Sequence, residues 1–311
     1  MKQYIFGIDI GGTTIKLGLF KNDGRLLEKW EIKTKKEYNG KYIIQDIVST
    51  LEEKFRDRNI IKEDIIGIGI GVPGPVLEDG TVLKCVNIGW GIFNVVDEFQ
   101  KLIDLPIKVS NDANVAALGE MWQGGGKGYE NVIMITLGTG VGGGIIVNGK
   151  VIPGSHGAGG EIGHIKVSNN ETKTCGCGNK GCLEQYASAT GIVSTAKEVL
   201  RNTNTPSKLR DVQNLSAKDI FDVAKNEDEL AKNIVNDLGE KLGAALSYIS
   251  CVVDPEVFVF GGGVSKAGDI LIKTVQEHFK KNSFHACTDT KFELAKLGND
   301  AGIYGAAKLI L

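Results

Sequence analysis

The chain has 311 residues, of which 42% are hydrophobic and 24% are charged, and its formal net charge is −2. This composition is typical of a globular protein with a large core and excludes an intrinsically disordered one. The near-neutral charge gives no electrostatic reason to expect nucleic acid or an anionic membrane as a partner. The longest nearly apolar run, at 243–253, is too short to span a bilayer and no export signal is evident, so we expect a cytoplasmic protein.

The hydrophobic pattern predicts an α/β protein in which strands and helices alternate along the chain. In the first part it predicts strands at 4–10, 14–20 and 26–33, a helix at 40–58, a strand from 65 into a proline-rich loop, a helix at 94–103, a strand at 107–110 and a helix starting near Asp112. In the second part it predicts three strands within 131–152, helices over most of 184–250 with a capping box at 216–219, strands at 255–265 and 291–298, and a last helix at 300–311.

One pattern occurs twice. IDIGGTTIKLGLFKNDGRLL and ITLGTGVGGGIIVNGKVI match in order and spacing, each with a strand, a Gly/Thr turn, a second strand and an Asn-containing turn. Such an internal duplication predicts two related lobes, each offering one hairpin tip to a shared cleft. We expect a small lobe at 1–118 plus about 299–311, and a large lobe at 119–298.

The two hairpin tips suggest a clamp for the phosphates of a nucleotide. Glycines let backbone N–H groups approach an anion closely. Thr13, Thr14 and Thr139 add hydroxyl groups, and Lys16 adds a positive charge. Asp9 would repel a phosphate in direct contact, but it fits if Mg²⁺ or its water lies between them. The alternative interpretation is that the glycines only permit tight hairpins.

Asn111 and Asp112 fall where a predicted strand ends and a predicted helix begins. Asn-Asp at such a place is often an N-cap, which satisfies the first backbone N–H groups of the helix. A carboxylate at the carboxyl end of a strand can also act as a general base that takes the proton of an attacking hydroxyl. Both interpretations hold together if Asn111 caps the helix and Asp112 faces the substrate.

The third constellation is H-x10-C-x-C-x4-C, formed by His164, Cys175, Cys177 and Cys182. One imidazole and three thiolates suit a tetrahedral, closed and structural Zn²⁺ site. The alternative is three free thiols near a core histidine. The scattered spacing of the remaining three of the six cysteines does not indicate a disulfide framework.

Two carboxylates, Glu161 and Glu184, flank this constellation in the sequence. They are either solvated acids at helix ends or acceptors of hydrogen bonds from ligand hydroxyl groups. Since the metal residues are far in sequence from both hairpins, we expect the zinc to position the ligand-hydroxyl side of the site without affecting the phosphate side.

Taken together, these residues resemble the ROK family of sugar kinases and repressors, and within it the bacterial glucokinases. The resemblance covers essentially the whole chain. It is carried by DIGGTT, GVPGPV, NDANVAALGE, LGTGVGGG, GGEIGH, CGCGNKGC and the GGG at 261–263, in that order. It implies an actin-like ATPase (ribonuclease H-like) fold with ATP between two lobes, and an ATP-dependent kinase that phosphorylates the 6-hydroxyl of glucose.

The resemblance also implies roles for individual residues. The phosphates and Mg²⁺ are expected at Asp9, Gly11, Gly12, Thr13 and Lys16 on one side and at Gly138, Thr139 and Gly140 on the other, with the adenosine at Gly261, Gly262 and Gly263. Asp112 matches the catalytic base of the family, and the sugar contacts are expected at Asn111, Asp112, Glu161, His164 and Glu184. In this family His164 would ligate zinc with one ring nitrogen and meet the sugar with the other. The family also suggests a homodimer.

Several alternatives share part of this pattern. N-acetylmannosamine kinases and fructokinases of the same family carry the same motifs, and polyphosphate is an alternative phosphoryl donor. A sugar-responsive repressor of the family needs a DNA-binding domain ahead of the first strand, which here is predicted to begin by Tyr4. A redox or metal-storage protein would explain the cysteines but not the hairpin tips.

Overall fold

The protein is described by a computed structural model that covers residues 2–311 and is a mixed α/β structure. Its strands are β1 (Tyr4–Ile10), β2 (Thr14–Lys21), β3 (Leu26–Lys33), β4 (Ile65–Val72), β5 (Thr81–Val82), β6 (Phe93–Asn94), β7 (Ile107–Asn111), β8 (Val132–Leu137), β9 (Val141–Val147), β10 (Lys150–Val151), β11 (Val257–Gly261) and β12 (Lys291–Leu294). Its α-helices are α1 (Glu37–Gly40), α2 (Ile43–Asp57), α3 (Val95–Gln100), α4 (Asp112–Gln123), α5 (Glu184–Ala187), α6 (Ala189–Asn202), α7 (Ala217–Lys225), α8 (Glu229–Val253), α9 (Asp269–Asn282) and α10 (Ala301–Leu309).

Two five-stranded sheets share one topology. The first has the order β3-β2-β1-β4-β7 and the second the order β10-β9-β8-β11-β12. If the five strands of each sheet are numbered in the order in which they occur along the chain, both sheets have the order 3-2-1-4-5. In the first sheet β1 pairs antiparallel with β2 and parallel with β4, and in the second β11 pairs parallel with β8 and β12. The duplication predicted from the sequence is therefore present in the strand order.

The chain forms two compact units. The first contains the chain up to Glu130 with Gly144–Gly160 and Lys296–Leu311, and the second contains Asn131–Gly143 and Glu161–Ala295. Each unit has its own apolar core. In the first, the buried residues of β1, β2 and β4 pack with the apolar face of α2. In the second, α7, α8 and α9 pack with β8 and β11. The lobe boundaries near residues 118 and 298 stay a prediction.

Most predicted elements are confirmed to within a few residues, and the differences have local causes. The helix expected at 40–58 begins at Ile43, because Tyr38, Asn39 and Gly40 have left-handed φ angles of 53°, 58° and 68°. Three such residues in succession cannot continue a right-handed helix, so α1 is only a single irregular turn ahead of α2. The predicted capping box is present, with Ser216 and Asp219 each accepting a hydrogen bond from the other's backbone N–H.

The longest helix, α8, has 25 residues and buries one face in the core of the second unit. It ends where Asp254 takes a left-handed φ of 48°. Within residues 2–311, none of the helices combines the length and the apolarity that a membrane crossing requires.

Candidate active site

The tip of the first hairpin, Gly11–Thr13, is held by a residue far from it in sequence. Thr34 follows β3 and is buried; its hydroxyl donates to the Gly11 carbonyl at 2.7 Å, and its backbone N–H donates to the Thr13 carbonyl at 2.9 Å. Inside the tip, the Gly11 N–H donates to the Thr14 carbonyl at 3.0 Å. Because Thr34 occupies two carbonyl oxygens that would otherwise repel an anion, the tip suits a phosphate.

The tip of the second hairpin, Gly138–Gly140, is held in the same way by the start of α6. The Ala189 N–H donates to the Gly138 carbonyl at 2.8 Å, and the Thr190 hydroxyl donates to the Thr139 carbonyl at 2.7 Å. Again one bond closes the tip, from the Gly138 N–H to the Gly140 carbonyl at 3.0 Å. Sequence reasoning found both tips but missed the threonines that hold them, since nothing local to either tip indicates these partners.

The glycine triplet 261–263 ends β11, in the second unit. Gly262 has a φ of 84°, and a Cβ atom there would lie 2.4 Å from the Leu137 carbonyl at the end of β8. Only glycine fits this close approach of two strand ends. Around Gly263 there is no atom within 4 Å of the position that a Cβ would take. The triplet therefore leaves open space directly beyond the carboxyl end of a parallel strand, where α/β proteins commonly bind ligands.

Asp9 is a half-buried acid of the first unit. It lies on β1 opposite Lys16 on β2, and a Cβ atom at Gly302 would lie 2.5 Å from its carboxyl group. Burial, and next the neighbouring charge of Asp112, raise the pKa of Asp9 to about 6, whereas Lys16 lowers it. The Lys16 ammonium itself donates to the Asn299 carbonyl at 2.9 Å. The two carboxylates that the sequence singled out in this unit are therefore close enough to repel one another.

Because the pKa of Asp9 is raised in the folded protein, we expect this residue to affect how the free energy of unfolding depends on pH. An acid whose pKa is higher in the folded state than in the unfolded state binds protons more tightly when folded, so its contribution to stability falls as the pH rises through that range. The Asp9→Asn variant without nucleotide should therefore be more stable than wild type at about pH 7, by at most about 3 kcal/mol, with the gain shrinking toward pH 4. Urea unfolding at both pH values measures this. Equal midpoints at neutral pH would contradict it.

Asn111 and Asp112 stand at the junction of β7 and α4, as predicted. The Asn111 side chain caps α4 by accepting from the N–H groups of Ala113 at 2.9 Å and Asn114 at 3.3 Å. Its amide also donates to the Gly74 carbonyl at 3.0 Å, which ties the proline-rich loop to the helix start. Asp112 is half-buried, and one of its carboxyl oxygens accepts from the Ala113 N–H at 2.8 Å. The capping function therefore belongs to Asn111.

The four residues of the predicted metal site come together in the second unit. One ligand atom from each of His164, Cys175, Cys177 and Cys182 lies within 4.8 Å of all the others. The Cys177 and Cys182 sulfurs are 3.6 Å apart, and the Cys175 sulfur is 3.8 Å from Nδ1 of His164. Sulfur ligands at the usual distance from a tetrahedral zinc are about 3.8 Å apart, and a disulfide needs about 2 Å. The donor set and its spacing fit Zn²⁺.

The two carboxylates near this cluster have different surroundings. One oxygen of Glu161 lies 3.8 Å from Nε2 of His164, on the other side of the ring from Cys175. Glu184 has one oxygen 3.7 Å from the Cys175 sulfur and accepts from the Val141 N–H with the other at 3.1 Å. A Cβ atom at Gly140 would lie 2.2 Å from that second oxygen. Glu184 therefore links the cysteine cluster to the second tip, and the expectation that the zinc leaves the phosphate side unaffected stays a prediction.

Two sheets of the same topology, each with a Gly/Thr tip, are the architecture of the actin-like ATPase fold, and the comparisons with known proteins agree. The sequence model of the ROK family matches residues 5–311. The chain therefore belongs to the ROK family.

The individual proteins to which the chain is similar include several glucokinases. The chain is 42% identical to a glucokinase of Halalkalibacterium halodurans over 99% of this chain and 95% of that one. It is 34% identical to a glucokinase of Thermotoga maritima, with 99% and 98% covered. Among solved structures, a ROK family glucokinase from Streptomyces griseus in complex with glucose and AMPPNP has a TM-score of 0.72 and 35% identity, with 98% of each chain covered.

Proposed function

We propose that this protein is an ATP-dependent glucokinase that converts glucose and ATP into glucose 6-phosphate and ADP. The observation that carries the proposal is the similarity to glucokinases along the full chain, at 42% identity for the relative from Halalkalibacterium halodurans. The residue types at the two hairpin tips and at the start of α4 support it, because glycine-rich tips and a carboxylate are groups that phosphoryl transfer uses.

Asp112 is the general base of the proposed reaction. It takes the proton of the glucose 6-hydroxyl as that oxygen forms a bond to the γ-phosphorus and the bond to the oxygen between the β- and γ-phosphorus breaks. Its fixed position at the start of α4 supports this role, since Asn111 does the capping and Asp112 is not required for it. Burial, and next the charge of Asp112, raise the pKa of the neighbouring Cys85 thiol to about 12, so this thiol stays protonated.

The glycine-rich segments hold the nucleotide in this proposal. The phosphates are bound by Gly11, Gly12, Thr13 and Lys16 and by Gly138, Thr139 and Gly140. Asp9 suits Mg²⁺ bound through water, because its carboxylate is half-buried and adjoins the first tip. When bound, Mg²⁺ neutralises charge on the phosphates. Gly261, Gly262 and Gly263 border the adenosine, and the open space at Gly263 supports this.

The sugar contacts in this proposal are Asn111, Asp112, Glu161, His164 and Glu184. Zn²⁺ is held by His164, Cys175, Cys177 and Cys182 and has a structural role. Since Nδ1 of His164 faces Cys175, Nε2 remains for the sugar and for Glu161. An imidazole fixed by a metal on one side presents its other nitrogen in a fixed direction. We further propose a cytoplasmic homodimer, as the family suggests.

A coupled assay of ADP release over a panel of hexoses tests the proposed function with ATP, and detection of the sugar phosphate tests it with polyphosphate, which releases no ADP. We expect glucose to be phosphorylated with ATP, and polyphosphate in place of ATP to support little turnover. The absence of ADP release with every hexose, in protein that binds the nucleotide, would refute the kinase proposal. Formation of sugar phosphate from polyphosphate, with none formed from ATP, would instead refute ATP as the donor.

A further inference from the structure

One lysine that sequence reasoning passed over lies at the tip of the first hairpin. The position that a Cβ atom would take at Gly12 is 3.6 Å from the Lys36 ammonium and 3.7 Å from the carbonyl oxygen of Asn87. Lys36 is far from the tip in sequence, and its side chain is exposed. The ammonium therefore reaches the surface at which the proposed phosphate site begins.

The backbone around Lys36 is fixed on both sides. Two residues before it, Thr34 makes the two hydrogen bonds to the tip described above. After it, the Gly40 N–H donates to the Lys36 carbonyl at 3.1 Å, and the Gly40 carbonyl accepts from the indole N–H of the buried Trp90 at 3.1 Å. The three residues in left-handed conformation, Tyr38 to Gly40, lie within this turn. Strain of this kind persists only where the surroundings enforce it, and it is frequent at ligand sites.

The charges nearby distinguish Lys36 from its neighbours. Lys35 forms a salt bridge with Asp46 at 3.0 Å, whereas the Lys16 ammonium donates to the Asn299 carbonyl and keeps its other N–H groups for the phosphates. Among residues 2–311, Lys36 has no carboxylate partner within salt-bridge distance. An ammonium next to a tip in which the Gly11 and Thr13 carbonyls are already bound is well placed to pair with an anion at that tip.

We propose that Lys36 binds the terminal phosphoryl group of the donor nucleotide at the Gly11–Thr13 tip. This inference rests on the proposed kinase function and adds a residue to it. Lys36 neither gives nor takes a proton. It neutralises charge on the oxygens of the γ-phosphate while the bond to the sugar oxygen forms and the bond to the departing ADP breaks. Because ADP lacks the γ-phosphate, Lys36 should matter for ATP and much less for ADP.

The test compares the binding of AMPPNP and of ADP, both with Mg²⁺, by titration calorimetry on the full chain. Lys36→Met should weaken AMPPNP binding at least about 10-fold, the scale of a lost charged hydrogen bond, and change ADP binding by less than about threefold. Lys36→Arg should restore AMPPNP binding to within about threefold of wild type. Lys35→Met is the matched control, with the same charge change one residue away, and should bind both nucleotides like wild type.

Three results would overturn the assignment. Lys36→Met could bind AMPPNP as tightly as wild type, it could lose AMPPNP and ADP equally, or Lys35→Met could reproduce its effect. The second and third would show a general effect of surface charge. These outcomes can be distinguished from a failure of the proposed function. If the wild-type protein phosphorylates no hexose, the proposed function is refuted. The difference between AMPPNP binding and ADP binding still decides the role of Lys36.

Discussion

Asp112→Asn should lower kcat for glucose phosphorylation by at least about 10²-fold, the usual scale for losing a general base. The fold should persist, because the side chain that caps α4 belongs to Asn111 and stays in place. The dissociation constant of glucose should change by less than about threefold, since the amide keeps the shape of the carboxyl group and one of its two acceptor oxygens. Stopped-time assays with saturating ATP, together with a binding titration, separate these two quantities.

A second readout tests whether Asp112 is ionised beside Asp9, as a general base in this unit must be. Since Asp112 helps to raise the pKa of Asp9, its neutralisation should lower the Asp9 pKa below its wild-type value of about 6. NMR titration of the carboxyl groups measures this shift. Asp104→Asn, which removes an exposed carboxylate of the same unit, is the control and should affect neither kcat nor Asp9. Near-normal turnover in Asp112→Asn would refute the assignment of the base.

The second large effect concerns zinc. The purified protein should contain about one zinc ion per chain, because structural zinc sites bind strongly enough to survive dialysis. Cys177→Ala should lose the metal and weaken glucose binding by about 10-fold or more, the scale found when the groups that orient a metal site are disturbed. Since Glu184 contacts both Cys175 and the second hairpin tip, we also expect a smaller loss of ATP affinity. Elemental analysis and two binding titrations measure the three effects.

The matched control is Cys251→Ala, which removes an exposed cysteine of the same unit outside the cluster and should retain zinc and both affinities. Wild-type protein without zinc would contradict the metal assignment. A Cys177→Ala variant that loses zinc but binds glucose normally would show that the metal does not position His164 for the sugar.

Most of the fold could be predicted from the sequence because it depends on local patterns. The alternation in β1 and β2, the apolar stripe of α2 and the Asn-Asp junction before α4 are each contained within a few consecutive residues. The duplicated strand order was predictable for the same reason, since both copies preserve the spacing of strands and turns. The cysteine cluster could be predicted because its three cysteines lie in one short loop and its histidine is near them in the sequence.

What could not be predicted depends on contacts between distant parts of the chain. Thr34 and Thr190 look like ordinary polar residues until the fold brings them to the two tips. In the sequence, Glu120 looks like an ordinary polar position of α4. In the structure it is fully buried, and its carboxylate accepts hydrogen bonds from the backbone N–H groups of Gly125, Lys296 and Leu297. A carboxylate tolerates such burial only when several donors satisfy it. Periodicity contains no information about donors that lie so far away in sequence.

The most direct test of the central claim is a competition between sugars. Equal concentrations of glucose, N-acetylmannosamine and fructose are offered together with limiting ATP, and the phosphorylated products are identified and quantified by NMR. The ratio of products then reports the ratio of kcat/KM values. We expect glucose 6-phosphate to be the main product, with the phosphate on the 6-position. A main product derived from N-acetylmannosamine or fructose would contradict the glucokinase assignment while leaving the protein a sugar kinase.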